Sequence, residues 1–140
     1  MANDTCLCID LRAAANKLTR MYDEIMAPSG ISVTQFSLLH QIHRLDAPTL
    51  KELAEASDLE RSTLGRNVRV LERQGLVSMK VGGDARTRTL HLTRNGVNVF
   101  KRAVPLWYSV QTQLIDRLGP AGRGQLNDLL DTLTAPAAAN

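Results

Sequence analysis

Between Thr49 and Leu92 the spacing of the apolar residues changes once, and that change limits what the chain can fold into. Up to Leu71 they recur every three or four positions, as on one face of a helix. Beyond Gly75 the period falls to two, as in a half-buried strand. Thr49 followed by Glu52 reads as a capping box that opens a short helix, Leu50 to Ala56. Ser57-Asp58-Leu59 is a tight connection, and an amphipathic helix follows from about Glu60 to Gln74. Gly75 is a natural stop for it. Leu76, Val77, Met79 and Val81 then suit a strand, Gly82-Gly83-Asp84 a turn, and Thr87 to Leu92 a return strand with Leu90 and Leu92 on one face. Short helix, tight turn, helix and β-hairpin together describe a winged helix-turn-helix.

Helices flank this segment. Leu7, Leu11, Ala14, Leu18, Tyr22 and Ile25 predict a helix over Leu7 to Met26, broken by Pro28-Ser29-Gly30. Ser32 with Gln35 forms another capping box, opening a helix to about Leu45 whose apolar set is Phe36, Leu38, Leu39, Ile42 and Leu45. Leu50, Leu53 and Ala54 of the short helix should face a neighbouring helix. After Thr93 a long helix carries Val97, Phe100, Val104, Val110 and Leu114, with a kink expected at Pro105. Gly119-Pro120 separates it from a last helix with Leu126, Leu129, Leu130 and Leu133. The fold class expected is mostly α with a small β-hairpin wing.

The charge is uneven. The chain carries +3 overall, yet the segment from Glu60 to Arg94 has eight basic residues against three acids, a local +5. A basic segment in an otherwise slightly acidic chain points to a polyanion partner. On a helical wheel with Leu64 at zero, Val68 and Leu71 fall within about 40° of it. Ser62, Arg66, Arg69 and Arg73 fall at about 140–200°, on the opposite side. An apolar stripe opposed by an arginine stripe suits the major groove of DNA, where arginine donates to guanine or phosphate. Ser62 and Arg66 are placed for base edges, Arg73 for the backbone, and Thr63 and Asn67 for phosphates. Gly65, near 100° on the same wheel, is out of place in a helix; it marks close approach to DNA, close approach to another helix, or chance. At the hairpin, Arg86 and Arg88 flank a tip that suits the narrow minor groove, and Asp84 suits fixing the tip.

The run Leu71-Glu72-Arg73-Gln74-Gly75-Leu76-Val77, then Asp84-x-Arg86, then Leu90-His91-Leu92-Thr93-x-x-Gly96 resembles the MarR family of bacterial transcription regulators. The resemblance extends over nearly the whole chain and includes Thr34-Gln35-Phe36. It implies DNA contacts by Ser62, Thr63, Arg66 and Arg69 in the major groove, Asp84 shaping the wing and Arg86 in the minor groove. It also implies a homodimer built from the terminal helices on pseudo-palindromic double-stranded DNA. The expected division is 1–31 for an N-terminal dimerisation helix, 32–95 for the winged helix-turn-helix, and 96–140 for C-terminal dimerisation helices. The leucine content of the terminal helices agrees, since isologous pairing would cover it. Family members usually repress, and they release DNA when a small molecule or an oxidant arrives.

Two sets of residues suit sensing. Cys6 and Cys8 open the first helix, and a helix N-terminus favours the thiolate that peroxides oxidise. Cys8 with Tyr22 resembles the organic-hydroperoxide-sensing branch of the family, but Arg12 and Val33 stand where that branch carries two further tyrosines. The other reading of the cysteines is packing at a dimer interface. The second set is Arg12, Tyr22, His40, His43 and Trp107, candidates for a pocket that takes a small aromatic or carboxylate effector. Each also has a reading as core or surface.

Other classes find little support. No paired carboxylates, nucleophile–histidine arrangement or phosphate-cradling glycine loop marks an enzyme. No cofactor is expected, and Cys-x-Cys lacks the further ligands of a metal site. No apolar run approaches the ~20 residues of a membrane span, and no secretory signal is visible, so a reducing cytoplasm, at the nucleoid, is expected. A winged-helix protein-interaction module is the rival reading, though its exposed helix would be apolar or acidic.

Overall fold

The computed structural model describes residues 4–82 and 87–137. Its elements run α1 (Leu7–Met26), α2 (Val33–Leu45), α3 (Leu50–Ser57), α4 (Arg61–Arg73), β1 (Val77–Val81), β2 (Arg88–Leu92), α5 (Arg94–Leu118) and α6 (Gly122–Thr134). A 3₁₀ turn, Ala27–Ser29, ends α1. The chain forms two compact units, the first ending at Trp107 and the second beginning at Tyr108.

The first unit holds a single apolar core to which α2, α3, α4, the hairpin and the start of α5 contribute. Leu39, Leu53, Leu64, Val68, Leu71 and Leu90 are all fully buried in it. Local chemistry sets the ends of these elements. At α2 both halves of the capping box form: Ser32 Oγ accepts from Gln35 N, and Gln35 Oε1 accepts from Ser32 N. The Gln35 amide also donates to Gln74 Oε1 at 2.9 Å, which ties the start of α2 to the end of α4. Thr49 Oγ1 accepts from Glu52 N and opens α3.

The end of α4 is held by its backbone. Gly75, at φ 72°, turns left-handed. Its N–H donates to the Glu72 carbonyl, and the Leu76 N–H reaches back to the Leu71 carbonyl, each at 2.9 Å. This pair of bonds is the Schellman arrangement, and the apolar contact that accompanies it is met by Leu71 and Leu76, both buried. Thr93 then joins the start of α5 to this turn. Its Oγ1 donates to the Gly75 carbonyl at 2.5 Å and accepts from Gly96 N at 2.9 Å. Its own N–H donates to the Leu76 carbonyl.

Gly96 completes the joint. A Cβ there would run into the Leu76 carbonyl group. Backbone cannot swing away as a side chain can, so Gly96→Ala should lower stability by about 1–3 kcal/mol. Denaturant titration checks it, and a loss of under about 0.5 kcal/mol would mean that the joint yields freely.

Three features differ from the sequence reading or add to it. The hairpin pairs Val77 with Leu92, Met79 with Leu90 and Val81 with Arg88, as expected of two short strands. The segment before α3 also joins this sheet. Thr49 forms a bridge with Thr89, and Leu90 N donates to the Pro48 carbonyl. One paired residue leaves no periodicity to read. In α5 Val110 is buried as expected, and Gly96, Val99 and Ala103 are buried as well, whereas Phe100 and Val104 are half-buried. Small residues let the helix approach closely, and the larger ones pack at the margin. The helix continues on both sides of Pro105, which does not end it.

Candidate nucleic-acid interface

α4 is organised as the wheel requires. Leu64, Val68 and Leu71 are fully buried. Ser62, Arg66, Arg69 and Arg73 are all exposed, and Thr63 and Asn67 are half-buried at the edges of their stripe. The buried face fixes the helix rotation, and the arginines are aimed outward as a consequence. Arg66, Arg69 and Arg73 line one surface groove together with Val70 and Glu72.

A groove lies on either side of that stripe. On one side Asn67 and Val70 face Ser32, Thr34 and Gln35 at the start of α2. The backbone N–H groups of a helix start favour anions. On the other side Arg61 and Leu64 face Thr49, Leu50 and Lys51 of the α3 start, with Thr87 and Arg88 of the hairpin. Lys51, Arg61 and Arg88 thus gather three cations at one cleft. Arg88 was identified from the sequence. Lys51 and Arg61 were not, because only the fold brings Lys51 and Arg88 together from 37 residues apart. Asp84 and Arg86, assigned to the wing tip, lie outside the described residues.

Gly65 is half-buried, and a Cβ there would meet nothing within 4 Å. Close packing against a neighbouring helix is therefore not its reason. Its helix-weakening cost, about 1 kcal/mol relative to alanine, has no return inside the chain.

The sensing candidates divide. His40, His43 and Trp107 are brought together around two phenylalanines. Phe36 stacks with Phe100 at 5.2 Å and with Trp107 at 5.6 Å between ring centroids. His40 lies 6.3 Å from Phe36 and 6.1 Å from Phe100, and His43 lies 5.8 Å from Phe100. Both histidines are exposed, and Phe36 is buried. Tyr22 packs half-buried against the same core. Arg12 stands apart, in a stretch of α1 where every residue from 7 to 20 is exposed.

Cys6 and Cys8 are free and exposed, Cys6 at the N-cap of α1 and Cys8 in its first turn. Tyr22 lies fourteen residues further along the same helix, a rise of about 21 Å. Its hydroxyl cannot support Cys8 within one chain. Among the described residues no cluster of three metal-ligating side chains occurs, and no helix is long and apolar enough to cross a membrane.

A family model described as the MarR family matches residues 29–87. MosR, a transcriptional regulator of M. tuberculosis solved in complex with DNA, is 38% identical, with a TM-score of 0.81 over 94% of this chain and 98% of that one. The organic hydroperoxide resistance transcriptional regulator of Bacillus subtilis is 27% identical over 101 residues, 71% of this chain and 69% of its own. A cysteine-to-serine mutant of E. coli MarR, complexed with operator DNA, shares the fold, at a TM-score of 0.83 and 22% identity over 91% of this chain and 93% of that one. With its winged helix, its opposed stripes and a relative this similar from end to end, the chain belongs to the MarR family of transcriptional regulators.

Proposed function

We propose that this chain is a sequence-specific DNA-binding regulator that works as a homodimer on a pseudo-palindromic operator, as a repressor released by a small effector. The observation that carries the reading is the exposed stripe of Ser62, Arg66, Arg69 and Arg73 directly opposite the buried Leu64, Val68 and Leu71. The buried face holds the helix so that its arginines reach base edges and phosphates at once. In this reading residues 32–95 bind DNA, and 1–31 and 96–140 dimerise. Dimerisation is supported by apolar residues that stand exposed among the described residues: Leu7, Leu11 and Leu18 on α1, and Leu129 and Leu133 on α6, a helix with no buried residue. Surface of this kind is what an isologous interface removes from water. The platform formed by His40, His43, Phe100 and Trp107 suits a small aromatic effector, with the histidine edges available to a carboxylate. A regulator of this kind works at the nucleoid, in the cytoplasm.

Footprinting of the purified protein on the DNA upstream of its own gene tests the reading. An inverted repeat should be protected, its half-sites about one helical turn apart. Lack of protection above competitor on that DNA and on genomic fragments would overturn it in favour of a protein-interaction module.

A second reading, an oxidant sensor acting through Cys8, is favoured by one observation. Both thiols are free, exposed and at the N-terminal end of α1, where oxidants reach them. The name of the B. subtilis relative points the same way. Cys8→Ser should bind DNA as tightly as the parent while losing release by organic hydroperoxide. An unchanged peroxide response removes this reading and leaves the effector platform.

A further inference from the structure

Arg61, Gly65 and Arg69 follow one another at intervals of four along α4. Residues so spaced are neighbours on a helix surface, so the two arginines stand at either side of a gap. Both are exposed. No described residue fills the gap, since a Cβ at Gly65 would find none of their atoms within 4 Å. Arg61 also lines the cleft that holds Lys51 and Arg88. Glu72, further along the same side of α4, marks where this positive line ends.

We infer that the gap at Gly65 seats a DNA phosphate: one sugar-phosphate strand crosses α4 at the missing side chain, gripped by Arg61 and Arg69, and continues past Lys51 and Arg88. The inference rests on the DNA-binding reading above and adds a contact to it. Without a side chain the phosphate comes closer to both guanidinium groups, and charge attraction grows as the distance falls. Ser62 and Arg66, on the adjacent line, remain free for base edges. A glycine that weakens its own helix is thereby explained by what the helix binds rather than by how it packs.

Gly65→Ala and Gly65→Leu test this, because both put side-chain atoms into the gap, where a Cβ meets no described atom within 4 Å. Each should melt above the parent, the alanine variant by about 3 °C. Binding would be followed by fluorescence anisotropy on two duplexes, one of arbitrary sequence and one from upstream of the gene, across a salt series. Gly65→Ala should bind both about tenfold more weakly, Gly65→Leu more weakly still, each with a shallower dependence on salt. Parent-like affinity in Gly65→Leu would overturn the phosphate seat. So would a loss confined to the upstream duplex, which would make Gly65 a neighbour of a base. If the parent itself binds neither duplex, the DNA-binding reading fails and takes this contact with it.

Discussion

Phe36→Ala should lower the stability of the protein by about 3–5 kcal/mol, the usual cost of deleting a buried aromatic ring. Phe36 is only 6% exposed, and it stacks on both Phe100 and Trp107. It therefore holds α2 to the first half of α5, two elements distant in sequence. Removing it leaves a cavity that no neighbour fills without moving. For a domain of ordinary stability, about 5–15 kcal/mol, this is a large share of the total. Denaturant unfolding should show a lower midpoint with a slope close to that of the parent. Phe36→Leu, which keeps most of the volume, should lose much less. If alanine cost no more than leucine, the stacked rings would be contributing little to the core.

Arg66→Ala should weaken binding to the operator by about 1–3 kcal/mol, roughly five- to 150-fold, and blur sequence preference at one position of each half-site. Arg66 is exposed at the middle of the stripe and its backbone is fixed by Leu64 and Val68 behind it. Arg66→Lys separates two roles. Lysine keeps the charge but loses the two-pronged guanidinium, so sequence preference should fall further than overall affinity. Equal affinities of Arg66→Ala and the parent across a set of operator variants would show that α4 reads DNA without this residue. Folding is not at stake, because the side chain is exposed.

The helices were legible wherever a residue type does one thing in one place. Ser32 with Gln35, Gly75 after the end of α4, and the apolar residues spaced three or four apart in α2 and α4 each marked an end or a face that the structure keeps. The arginine stripe was legible for the same reason, since a helix has one geometry. Long-range meetings were not. Phe36, Phe100 and Trp107 lie 64 and 71 residues apart, and no local pattern announces a stack. The buried line of α5 escaped because Gly96 and Ala103 are too small to register as apolar, although their smallness is what allows close packing. The Thr49–Thr89 bridge is a single pair, and Lys51 joins Arg88 only once α3 stands beside β2.

The joint of Gly75, Thr93 and Gly96 has a consequence for how the length of this chain can vary over evolution. It pins one end of α4 through backbone bonds, while the buried leucines pin its rotation. An extra residue anywhere from Arg61 to Arg73 would turn everything after it by about 100°. The arginines and the leucines could then no longer both be placed correctly. Related chains should accordingly accept exchanges of residue within α4 and refuse insertions or deletions there. Their differences in length belong instead beyond the joint or before Asp23, whose carboxylate accepts from Val33 N and so measures the turn that follows α1.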